Sequence, residues 1–115
     1  MKRLLFAVLA TSALSLAHAH TKLATTSPAA NATVAAPKEL VLDFGGDVRL
    51  TAVTLTAASG AAVPLAALPT EVASKFTVAV RAPLAAGDYV VVWRAVGGDT
   101  HIVSGEFRFS VATAF

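Results

Sequence analysis

Alternation of apolar and polar residues, repeated in run after run, is the feature that most limits what this chain can fold into. In Glu39-Leu-Val-Leu-Asp-Phe44 the side chains of Leu40, Leu42 and Phe44 fall on one face. Ala52-Val-Thr-Leu-Thr56 repeats the pattern with Val53 and Leu55, and Phe76, Val78 and Val80 repeat it again. In Tyr89-Val-Val-Val-Trp-Arg-Ala95, Tyr89, Val91 and Trp93 take one side while Val90, Val92 and Arg94 take the other. Phe107, Phe109 and Val111 close the series. A period of two is that of a half-buried β-strand. Pro28, Pro37, Pro64, Pro69, Pro83 and the glycines fall between the runs, where turns need them.

Short strands at regular spacing, with no convincing helix, predict an all-β chain folded as a single Ig-like Greek-key β-sandwich of about seven strands, cupredoxin-like in overall shape. Leu84-Ala-Ala-Gly-Asp-Tyr89 strengthens this reading, because a Leu, a Gly and a Tyr leading into a strand match the corner where such sandwiches tie a tyrosine hydroxyl to nearby backbone. Ala57 to Thr70 is rich in Ala and Pro and reads as a loop or irregular strand. No internal repeat and no second domain is visible. There is no cysteine, so the domain must hold together by packing alone and cannot build a thiolate metal site.

The first residues read as a secretory signal peptide spanning 1–19. Lys2 and Arg3 are followed by an apolar run from Leu4 to Leu16 and by Ala17-His18-Ala19, with small residues at the positions a signal peptidase reads. The run falls short of the roughly 20 residues of a membrane span, and charged residues interrupt every later apolar stretch. The alternative is a buried amphipathic N-terminal helix. Cleavage after Ala19 leaves 20–115 as the mature domain, exported and with no transmembrane segment. The whole chain has nine Lys and Arg against seven Asp and Glu, so losing Lys2 and Arg3 makes the mature chain formally neutral. Its charges are scattered, which excludes a nucleic-acid footprint.

Catalytic signatures are missing: no Gly-x-Ser-x-Gly elbow, no Walker loop and no cysteine nucleophile. What remains is Gly97-Gly-Asp-Thr-His101, between the Trp93 and Phe107 strands and so on a loop at one end of the sandwich. Asp99 and His101 are two apart, a spacing that puts both side chains on one face of an extended segment. A hairpin turn that merely carries a histidine is the plainer reading. After the cut, however, His20 offers a free α-amine and an imidazole Nδ1 that can close a chelate ring on one metal. Adding His101 makes three nitrogens, and Asp99 can supply an oxygen. That donor set suits tetragonal Cu(II), whereas zinc accepts the ligands but prefers a tetrahedron. Cutting after Ala17 would instead start the chain His18-Ala19-His20, which can bind Cu(II) or Ni(II) without the loop.

At these residues the chain resembles the periplasmic CopC copper-resistance family. "HTKLATTSPAANATVAAPKELVLDF" is similar to that family's mature start, with His20, Leu23, the Ser27-Pro28-Ala29 turn, Pro37 and Leu42-x-Phe44. "LAAGDYVVVWRAVGGDTHIVSGEFRFSV" matches its Leu-x-x-Gly-x-Tyr, Val-x-Trp-Arg, Asp-x-His and Gly-x-Phe-x-Phe pattern. The resemblance implies one Cu(II) per chain held by His20, Asp99 and His101, no enzymatic activity, and an inner-membrane copper transporter of the CopD type as a partner. The family often reads Ser-x-Asp-Gly-His where this chain has Gly97-Gly98-Asp99-Thr100-His101. Many members carry an acidic residue just after the Leu-x-Phe strand; here Gly45-Gly46-Asp47 follows, and Asp47 is given no role. Members with a Met-rich segment bind Cu(I), but the only methionine here is Met1. The competing readings are a histidine-brace copper monooxygenase and a plain Ig-like interaction module.

Overall fold

The computed structural model describes residues 23–113, and over that range the chain is all β. Its strands are β1 (Thr25–Ser27), β2 (Thr33–Val34), β3 (Glu39–Ala57), β4 (Ala62–Val63), β5 (Ala73–Ala79), β6 (Gly87–Gly97) and β7 (Ile102–Val111). One hydrogen-bonded path runs β1-β3-β6-β7-β2, with β4 and β5 also paired to β3. The sheet curls so that its two halves face each other as a sandwich. The first half of β3 holds β1 and β5, and its second half joins β6, the neighbour of β7.

β3 makes the curl possible, and it differs from the sequence expectation. The alternating runs Glu39–Phe44 and Ala52–Thr56, expected as separate strands, belong to one strand. Gly45-Gly46-Asp47 interrupts the burial pattern between them without reversing the chain, and the register shifts between Asp43 and Val48. Gly45 takes φ 73°, a conformation that only glycine adopts without strain, and the strand bends there from one face of the core to the other. A second irregularity, between Leu50 and Ala52, leaves Thr51 as an extra residue whose hydroxyl donates to the Arg94 carbonyl.

The core is built from the faces the alternation marked. Leu40, Leu42, Phe76 and Val78 come from one half, and Val91, Trp93, Phe107 and Phe109 from the other, all buried. Phe44, at the bend, meets Phe76 edge-on at 6.1 Å and Trp93 at 5.1 Å, so it joins the halves. Tyr89 stacks on Phe109 at 5.5 Å, and its hydroxyl donates to the Ala85 carbonyl at 2.7 Å, completing the expected tyrosine corner. Each such side chain contributes about 1.5–3 kcal/mol by leaving water. No polar or charged residue is buried among the described residues, in keeping with a fold held by packing.

Trp93 rests on the backbone of β7. A Cβ added at Gly105 would lie 2.8 Å from Trp93 Cζ2, and the Phe44 ring limits how far the indole can retreat. Gly105→Ala should therefore destabilise the protein by about 1–3 kcal/mol, the usual cost of overpacking. Urea unfolding followed by circular dichroism would read this, and an unchanged midpoint would show that the indole moves freely. Past Ala57, the last residue of β3, the stretch to Thr70 contributes only β4 and the Leu65–Val80 bridge, as its composition suggested.

Candidate metal centre

β6 and β7 meet in a tight hairpin at one end of the sandwich. Gly97 N–H donates to the His101 carbonyl at 2.9 Å, and Thr100 N–H donates to the Gly97 carbonyl at 2.9 Å. Gly98 and Asp99 fill the turn, and Thr100 follows at φ 66°. This is the three-residue hairpin loop that ends on a left-handed residue.

The turn folds Asp99 back onto His101. One carboxylate oxygen, Oδ1, accepts the His101 backbone N–H at 3.1 Å, and Oδ2 lies 2.7 Å from His101 Nδ1. The bond from the ring, then the one from the backbone, holds the Asp99 carboxyl below its ordinary value. An ionised carboxylate only accepts, so Nδ1 carries a proton, and in the neutral ring Nε2 is the nitrogen with the lone pair. The side chains of His101 and Asp99 are 81% and 59% exposed, which leaves that lone pair open to a metal. Pairing of this kind sets the tautomer and orientation of metal-binding histidines. Sequence spacing anticipated that the two side chains meet, but for another reason: the segment is a turn, not an extended strand.

Thr100 stands where the left-handed conformation favours glycine. A β-branched residue there is strained by about 1 kcal/mol or more. Thr100→Gly should thus raise stability by about 1 kcal/mol, seen as a higher urea midpoint, while the Asp99–His101 pair survives. A lower midpoint would mean that the threonine supports the turn instead.

His20 and the expected cut after Ala19 lie outside the described residues. The described chain starts at the same end of the sandwich as the hairpin. Ala24 N–H donates to the Asp43 carbonyl at 2.8 Å, and antiparallel pairing of Thr25 with Asp43 directs the preceding residues toward the Gly45 bend. Just past that bend, Val48 pairs with Gly97 at the base of the hairpin. Among the described residues no group of three or more His, Cys, Asp or Glu comes together, so Asp99 and His101 stand as a pair. A groove of about 620 Å³ lies at the far end of β3, lined by Pro37, Lys38, Arg81 and Pro83 with no metal-binding side chain.

The fold and the hairpin define a small all-β protein that presents an exposed Asp-x-His pair on an end loop of a sandwich. Residues 23–112 match the CopC domain model, and the chain belongs to the CopC family. It is 34% identical to copper resistance protein C of Escherichia coli over 105 residues, 83% of each chain. To copper resistance protein C of Xanthomonas campestris pv. juglandis it is 35% identical over 119 residues, covering 90% of this chain and 89% of the relative. Among solved structures, PcoC, a methionine-rich copper resistance protein from Escherichia coli, superposes with a TM-score of 0.68 at 34% identity, covering 82% of this chain and all of PcoC. CopC from Methylosinus trichosporium OB3b gives 0.71 at 31% identity, covering 84% of this chain and 97% of that one.

Proposed function

We propose that the mature chain is a periplasmic Cu(II)-binding protein of copper homeostasis or resistance, and not an enzyme. Signal peptidase removes residues 1–19, and one Cu(II) is held by the α-amine and imidazole of His20, by His101 and by Asp99. The observation that carries this reading is the exposed Asp99–His101 pair with its free Nε2, at the end of the sandwich where the described chain begins. Only Thr21 and Lys22 separate His20 from Leu23, which puts the two at most about 10 Å apart when extended. The membership in a copper-resistance family supplies the metal, and the donor set supplies its oxidation state. Nitrogen and carboxylate donors favour Cu(II), while Cu(I) wants sulfur that the mature chain lacks. In this reading copper is cargo, exchanged with a membrane transporter of the CopD type.

A monooxygenase that works on polysaccharides needs aromatic rings on its surface to stack against sugar. Every aromatic side chain among the described residues is buried, Tyr89 and Trp93 at 5% exposure each, which favours the carrier. The mature protein should take up one Cu(II) from a competing chelator, give a tetragonal nitrogen-rich EPR spectrum, and bind Cu(I) weakly. A preference for Cu(I), or a second site of equal strength, would contradict the reading.

A further inference from the structure

The outer face of the β3–β6–β7 sheet turns its side chains away from the core, and its composition is unlike that of a solvated face. In the row beside the hairpin, Arg49, Val96 and Ile102 stand side by side across the three strands. Further along, Ala52 pairs with Arg94 and Arg94 with Ser104; then come Thr54, Val92 and Glu106. Ile102 is 69% exposed and Val92 44%, two of the three large hydrophobic residues left exposed among the described residues. Within these rows Glu106 is the single acid, and Arg108 already pairs with it at 3.3 Å; Asp88 lies beyond Val90 and accepts from the Ser110 hydroxyl, and Asp47 precedes Arg49 by two residues. Arg49 and Arg94 have no carboxylate partner among the described residues. Arg49 donates to the Thr70 carbonyl, which tethers its guanidinium while leaving further N–H donors free.

We infer that this face docks a protein partner whose acidic side chains flank an apolar patch. Unpaired arginines set among apolar side chains are the composition of an interface, not of a face that only meets water. Three arginines against one glutamate leave these rows net positive, which disfavours two copies meeting row on row. A lipid surface is the poorer fit, since the face carries none of the tryptophan or tyrosine that anchors proteins at membrane interfaces. From Ile102 to Arg108 the face runs about 20 Å along the strands, and about 10 Å across them. It therefore offers a few hundred Å², under half of the roughly 800 Å² per partner in a stable complex. The encounter is brief, steered by charge and weakened by salt. The face ends at the hairpin that carries His101. The docking surface does not rest on the copper reading.

The test is an amide-resolved NMR titration of the metal-free mature protein. One probe is a short peptide alternating glutamate with valine, and the other is the same peptide with lysine in place of glutamate. The glutamate peptide should shift the amides of Val92, Arg94, Val96 and Ile102. The response should fall at least about tenfold in R49E/R94E and also fall with added salt, and the lysine peptide should give none. Shifts centred elsewhere, an equal response to both peptides, or no response overturns the proposal. So does capture by phosphatidylglycerol vesicles through this face without response to the peptide, which would make the occupant a membrane. Failure to bind Cu(II) in a separate titration would sink the copper reading and leave this result untouched.

Discussion

A mature protein that keeps one extra glycine or methionine before His20 should bind Cu(II) at least about a hundredfold more weakly than the protein starting at His20. Changes to groups that only orient a ligand already cost about 10–100-fold in metal affinity, and in the proposed site a direct ligand is displaced. The α-amine is the donor the gene does not encode as a side chain; a peptide bond removes its basicity and opens the chelate ring. The sandwich should be untouched, because residues 23–113 form the core and the hairpin without help from that amine. Competition titrations on both forms, beside their thermal melts, make the comparison. Equal affinities would mean that the amine is not a ligand and that processing does not create the site.

His101→Ala should have an effect of similar size on copper and almost none on the fold. The imidazole is 81% exposed at the tip of a hairpin closed by backbone bonds, so the stability of the metal-free protein should stay within about 0.5 kcal/mol. Copper affinity should fall by about a hundredfold or more, since a nitrogen donor is lost outright. Asp99→Asn should cost less, about 10–100-fold, because it weakens the hold on Nδ1–H and removes a charge while the nitrogens stay. If the alanine variant unfolded without metal, His101 would be structural and the assignment would fall. If instead it bound copper normally, the metal would sit on the His18-Ala19-His20 arrangement that cleavage after Ala17 creates.

Much of the architecture was legible because β alternation is a local property. A side chain's face is decided by its parity along the strand, so Leu40, Leu42, Val91, Trp93 and Phe109 could be assigned to the core from order alone. The tyrosine corner was readable for a related reason, since Tyr89 and Ala85 are close in sequence. The very short strands β1 and β2 escaped notice: neither is long enough to show a period, and both exist through pairing with residues distant in the chain. Asp99 and His101 were legible as a candidate pair because their residue types carry the chemistry wherever the backbone puts them.

By itself, then, the order of residues determined the fold class, the inward faces, and the stock of donors: nitrogen and oxygen, without sulfur beyond Met1. Only the tertiary structure decided that Glu39–Ala57 is one strand crossing from one half of the sandwich to the other. That crossing pairs Val48 with Gly97 and brings the start of the described chain and the hairpin to one end. It also decided that Thr100 turns left-handed and folds the Asp99 carboxylate onto the His101 ring, against threonine's own preference. The physical reason is the range of the forces involved. Side-chain parity and donor chemistry belong to single residues, whereas a bend, a register and a strained turn are set by strands far apart in sequence that bury one core.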